Sequence, residues 1–322
     1  MPRKAIIFGN GLGMALNAHH FSLATAMHDV WHLNHFLTAE DRGLISQTLG
    51  NVNAIPQTED QLDTLHQVVT ACKTLNRVLM NQLHWLTPHG QRFPSAVARY
   101  IQKVATRLHL TDAELPPAFI NPLMQFVRQT NSHIATLNYD RLLYGAFIDQ
   151  GLLAGYDGNL VDGIYATGFA ARNLERRAGR NFGYYLHLHG SPLFYDENGT
   201  IKKLQRNELS MFTNNESEHV VLTHVQHKRS VIIASPILSA YWNYLHRCLQ
   251  EATEIMVVGY SGCDVHLNEI IGIYGQHKHI KIIEWQAQHD SVIRRNQWVD
   301  VFRSQNISLL LVASLLGFDD WA

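Results

Sequence analysis

Short apolar runs closed by glycine, asparagine or serine recur along the chain, separated by one long stretch with a different rhythm. Residues 4–9 (Lys-Ala-Ile-Ile-Phe-Gly) form the first run. It reads as a buried, parallel strand, because a sheet covered by helices on both faces needs strands that are apolar on both faces. A helix is predicted to begin near Met14. From about 20 to 130 apolar residues return at helical spacing: Leu62, Leu65, Val68, Val69, Cys72, Leu75, Val78 and Leu79, then Val97, Tyr100, Ile101 and Val104. Prolines from Pro88 to Pro122 punctuate this stretch. Beyond 130, strand and helix alternate. Strands are predicted at Ile134–Leu137, Tyr184–His189, Val220–Thr223, Ser230–Ala234, Glu254–Gly259, Ile280–Glu284 and Ile307–Val312. Helices are predicted from Arg141, over Pro236–Glu251 and over Val265–Tyr274, and 151–180 reads as glycine-rich loop. The pattern predicts an α/β protein with a Rossmann-like, doubly wound, mainly parallel sheet. One domain spans 1–322, with 20–130 a helical insertion between the first two strands.

Charge narrows the partners. The net charge of -1 provides no field to steer nucleic acid or an anionic membrane. The run Arg172, Arg176, Arg177 and Arg180 reads as a solvated face. The apolar run Ile307–Leu316 is too short to span a bilayer. With no secretory pattern at the start, a soluble, cytoplasmic protein is expected. Three scattered cysteines fit neither a zinc ribbon nor a disulfide framework. Twenty histidines are many, but the helical pair His28 and His32 has no acidic third ligand in register. No metal is therefore expected.

Polar residues collect where the predicted strands end. Gly9-Asn10-Gly11-Leu12-Gly13 departs from the dinucleotide fingerprint, because Met14 stands where its last glycine would be. Its backbone N–H groups before a helix still suit a pyrophosphate. Asn138 and Asp140 follow the second strand, either as site residues or as a turn and helix cap. His187 and His189 lie two apart in a predicted strand, so both should face one side. His189, followed by Gly190, is placed for general base work, with a structural histidine as the alternative. Gly259, Tyr260, Ser261 and Asp264 close a later strand, with Asp264 the expected N-cap. Glu284 ends the next one, where a carboxylate grips ribose hydroxyls or merely caps the strand.

Taken together, these segments resemble the sirtuin-like (silent-information-regulator-like) domains of bacterial antiphage NAD hydrolases. The resemblance is carried by the glycine turn Gly9–Gly13, Thr136-Leu137-Asn138-Tyr139-Asp140, Leu188-His189-Gly190-Ser191, and Gly259-Tyr260-Ser261 with Asp264, His266 and Asn268. It covers roughly residues 4–285, with no motif in the insertion or the tail. It departs from the protein deacylases of the wider family, which have four zinc cysteines and a Gly-Ala-Gly-x-Ser loop. The resemblance implies NAD as substrate, with His189, Asn138 and Asp140 catalytic. It implies Gly9, Asn10, Gly11, Gly259, Ser261, Asp264 and Glu284 as dinucleotide-binding residues. It also implies a silenced enzyme, so a homo-oligomer, or a partner such as a HerA-type ATPase or a short Argonaute, is expected. Alternatives are a non-catalytic NAD or ADP-ribose sensor, a zinc-free deacylase or ADP-ribosyltransferase, and an insertion that serves a protein partner.

Overall fold

The computed structural model describes residues 2–79, 84–205, 207–210, 219–222, 225–286 and 290–322, with 225–227 described for backbone only. The chain opens with β1 (Lys4–Phe8), followed by α1 (Gly11–Phe21), α2 (Leu23–Trp31), α3 (Ala39–Thr48), α4 (Glu59–Val78), α5 (Pro88–His109) and α6 (Pro117–Thr130). It continues through β2 (His133–Thr136), α7 (Leu142–Asp149), the short strands β3 (Leu160–Val161), β4 (Ile164–Tyr165) and β5 (Gly168–Phe169), and β6 (Gly183–His187). A hairpin of β7 (Phe194–Glu197) and β8 (Thr200–Lys203) precedes α8 (Val225–Ala234) and α9 (Pro236–Glu251). The last elements are β9 (Glu254–Val258), α10 (Val265–Gly275), β10 (His279–Trp285), α11 (Ser291–Phe302) and β11 (Ile307–Val312).

Seven strands form one sheet in the order β11-β10-β9-β1-β2-β6-β3, and every pairing in it is parallel. The doubly wound α/β fold follows directly, since β1, β2, β6 and β9 are buried almost throughout. From β1 the chain builds outward first through β2 and β6, then returns to lay β9, β10 and β11 on the other side. The crevice at the carboxyl ends of β1 and β9 is therefore the topological switch point, where ligands bind in open α/β sheets. Register brings the motif turns level. Phe8 pairs with both Thr136 and Val258, and Thr136 pairs with His187. The ladder then runs one residue further, with Gly9 N–H donating to Val258 O, Leu137 N–H to Phe8 O, Leu188 N–H to Thr136 O and Gly259 N–H to Ile283 O.

Two hydrophobic cores divide the helices. Helices α6, α7, α9, α10 and α11 pack on the sheet. Helices α2 to α5 instead share a second core around Met27, Ile45, Leu65 and Tyr100, which Val220 and Leu222 join. Between β1 and β2 there is no strand among the described residues.

Three local expectations are corrected. Helix α1 begins at Gly11 rather than near Met14, because its first turn is built from the glycine segment itself. Ser230–Ala234 is not a strand but the end of α8. Lys228, Ile232 and Ser235 are buried while Ile233 is exposed, a spacing of four and three that only a helix provides. Around the predicted strand Val220–Thr223, Val220 makes a single antiparallel bridge to Gly190, and Thr223 lies outside the described residues.

Candidate functional site

The switch-point crevice opens into a cleft of about 1010 Å³, ample for a dinucleotide. Its walls include Gly9, Asn10, Gly11, Asn138, His189, Gly259, Ser261, Asp264 and Glu284. Of the sequence-predicted site residues, only Asp140 does not line it.

The floor is made by two turns pressed together. Gly11 N–H donates to Gly259 O at 2.8 Å, and a Cβ at residue 11 would sit 2.6 Å from that same oxygen. Glycine is thus required here by turn-on-turn packing as well as by approach to a ligand. Helix α1 starts from this contact with its N-terminus at the cleft, where the helix dipole favours an anion. The helix breaks at Asn17, whose φ and ψ of -156° and 92° are not helical. The Asn10 amide donates to Phe21 O at 2.9 Å, tying the turn to the end of the same helix.

Asn138 is buried on the opposite wall. Its Nδ2 donates to Gly9 O at 3.1 Å, while its Oδ1 is buried without a hydrogen-bond partner. A buried acceptor without a donor is costly unless a ligand or water supplies one, so this atom marks a place for a hydroxyl.

His189 lies not in β6 but in the turn beyond it, since the strand ends at His187. Strand alternation therefore does not relate the two histidines. His187 packs among Tyr144, Tyr185 and Phe194, and neither ring nitrogen has a hydrogen-bond partner. Burial drives its pKa down to about 3, so it is a neutral core residue. His189 instead faces Asp264, with Nε2 2.8 Å from Oδ2. Burial alone would raise the Asp264 pKa. His189, Lys228 and the Leu267 N–H outweigh it and hold the carboxyl well below its ordinary value. Asp264 is thus a carboxylate that accepts the Nε2 proton, which leaves the neutral ring's lone pair on Nδ1. The Tyr139 ring lies beside the imidazole, with centroids 6.3 Å apart. Behind the turn, Gly190 adopts a φ of 80°, and Val221 N–H donates to His189 O at 2.9 Å.

Asp264 does more than the cap expected of it. Its Oδ1 accepts from Leu267 N–H at 3.1 Å to start α10, and its Oδ2 orients the histidine. Tyr260 OH braces the same loop by donating to Asn268 Oδ1 at 2.8 Å and accepting from Asp264 N–H at 2.8 Å. Asp140 sits behind the wall. Its Oδ1 accepts from Leu142 N–H at 2.9 Å, its Oδ2 is buried without a partner, and burial pushes its pKa up to about 6.

Glu284 lines the cleft, but its carboxylate already accepts from Arg294 Nε and Nη2 and from Trp298 Nε1, at 2.6–3.2 Å. The fork expected to meet ribose hydroxyls is occupied by a guanidinium. Arg294 and Lys228 are cleft residues that the motif reading passed over, and Tyr139 is one it gave no role. The arginine run does not form a free patch: Arg176 holds Glu251, Arg177 holds Glu175, and Arg180 lies 3.9 Å from Asp157.

No group of three His, Cys, Asp or Glu that could hold a metal occurs among the described residues, and no helix among them is long and apolar enough to cross a membrane. No curated protein matches the chain. The model of the SIR2-like domain matches residues 132–300, from β2 through most of α11. Domains of this family are NAD-dependent, and the cleft offers what that dinucleotide needs: a helix N-terminus over a glycine turn and a buried, unpartnered amide oxygen. The chain belongs to the SIR2-like domain family.

Proposed function

We propose that the protein is an NAD hydrolase that releases nicotinamide and ADP-ribose. The observation that carries this reading is the meeting of His189 and Asn138 in one cleft, the histidine fixed by Asp264 and the asparagine with a buried, unpartnered Oδ1. Cleavage of the nicotinamide–ribose bond leaves a cationic ribose carbon, and water supplies the oxygen that ends on it. Nicotinamide departs neutral and needs no strong acid. The proton lost by the water needs a base, and the lone pair on His189 Nδ1 would take it. Asn138 Oδ1 would accept from a ribose hydroxyl or from that water, holding it in line. The α1 N-terminus and the Gly9–Gly11 turn would carry the pyrophosphate, and Ser261 a ribose hydroxyl. Asp264 serves the imidazole rather than the dinucleotide.

Such an enzyme would deplete NAD in antiphage defence, held silent until self-assembly or a partner such as a HerA-type ATPase or a short Argonaute releases it. The test is to incubate the protein with NAD, alone and with candidate activators, and to quantify nicotinamide and ADP-ribose. His189→Ala should reduce turnover by on the order of 10³-fold, in the range of a lost general base. Undiminished turnover in His189→Ala would overturn the assignment. Ligand-induced stabilisation with no turnover under any condition would favour the sensor.

A further inference from the structure

Lys228 is buried and has come to the cleft from α8 to meet the carboxylate that holds the base. Its Nζ lies 3.1 Å from Asp264 Oδ2, the oxygen that also accepts His189 Nε2 at 2.8 Å. On its other side Nζ lies 3.6 Å from Glu59 Oε2, at the first residue of α4. Among the described residues, the ionisable groups around His189 are Asp264, Lys228 and Tyr139, with Tyr260 and His266 close to Asp264 and Glu59 behind Lys228.

A carboxylate this deeply buried requires a counter-charge. Among the described residues two candidates touch it: an ammonium, or an imidazole that could take up a proton and become a cation. Only one positive charge is needed. If Lys228 supplies it, His189 remains neutral and keeps its lone pair. If Lys228 is absent, protonated His189 becomes the compensating cation and the base is lost. We propose that Lys228 is a positioning residue that neutralises Asp264 and so keeps His189 a base at neutral pH. Glu59, at 3.6 Å, is the weaker partner of the same ammonium. This rests on the hydrolase reading for its kinetic consequence but not for its electrostatic one.

The test compares Lys228→Met, Lys228→Arg and wild type. Titration of the His189 ring by NMR, assigned by the resonance missing in His189→Gln, should show His189 protonating about one pH unit or more higher in Lys228→Met, and near the wild-type value in Lys228→Arg. In NAD cleavage, the acid limb of kcat/KM against pH should move up by the same amount in Lys228→Met, with activity recovering at alkaline pH. A Lys228→Met variant whose His189 titrates as in wild type would overturn the inference even where NAD cleavage stands. Equal loss at every pH would reduce Lys228 to a packing role. If no NAD cleavage is seen at all, the NMR titration still decides the role of Lys228.

Discussion

Asp140 is a residue whose charge should weaken the fold, and the effect can be sized. The carboxyl is buried, one oxygen is unpartnered, and its pKa is raised from 3.8 to about 6. Between those values the folded chain binds more protons at this site than the unfolded chain. Stability therefore falls as pH rises through that window, rather than rising as it does for a salt-bridged carboxylate. The full gap corresponds to about 3 kcal/mol at roughly 1.36 kcal/mol per unit, and about half of it has accumulated by pH 5. Asp140→Asn keeps the oxygen that accepts from Leu142 N–H and removes the titration. A buried amide donor brings its own cost, but that cost does not depend on pH. Measured against wild type, the variant's Tm should therefore improve by about 2 °C between pH 5 and pH 8 for a chain of 322 residues. Thermal melts of both proteins at the two pH values decide the matter. A Tm difference that stays constant with pH, or that moves the other way, would refute the reasoning.

Other expectations rest on separate contacts. Gly190→Ala would place a Cβ 1.7 Å from His219 O at a φ of 80°, so the segment that bonds His189 O must move. NAD turnover should fall by about 100-fold while circular dichroism remains native, as for an ångström-scale misplacement of a base. Glu251 gathers Arg3, Arg176 and Arg247; although burial alone would raise its pKa, these partners and His133 hold it well below 4.5. Glu251→Gln should lower stability at pH 7 by on the order of 2 kcal/mol. Denaturant titrations should show that loss shrinking as pH falls through the acid range, where wild type itself gives up the contribution. Arg294→Ala frees the Glu284 carboxylate from its fork, and NAD KM should rise by about fivefold with kcat nearly unchanged. A fall in kcat at constant KM would show that the pair acts on the reaction rather than on binding.

The sheet was legible because parallel strands are apolar on both faces and stop at residues with a clear physical reason to stop. Lys4–Phe8, Glu254–Val258 and Ile307–Val312 read as strands from their runs alone. The run Val231-Ile232-Ile233-Ala234 misled, because four apolar residues fit a buried strand as well as one turn of helix, and only the buried Lys228 before them reveals the period. His189 and Asn138 could be placed at strand ends, since each follows its run directly. The partnership of His189 with Asp264 spans 75 residues and obeys no period. Lys228 and Arg294 reach the cleft through long side chains from helices without a motif, and such reach leaves no mark on local pattern. The sequence also could not reveal that Glu284 would find an arginine before it met a ribose.

The pressed glycine turns have a mechanical consequence. Residues 9, 11 and 259 meet backbone to backbone, with no side chain between them to yield. The bottom of the cleft is a rigid seam that locks the two wings of the sheet, β1 with β2 on one side and β9 with β10 on the other. Nothing there can hinge. Room for movement around the cleft lies instead at its periphery, as at the break in α1 beside Asn17.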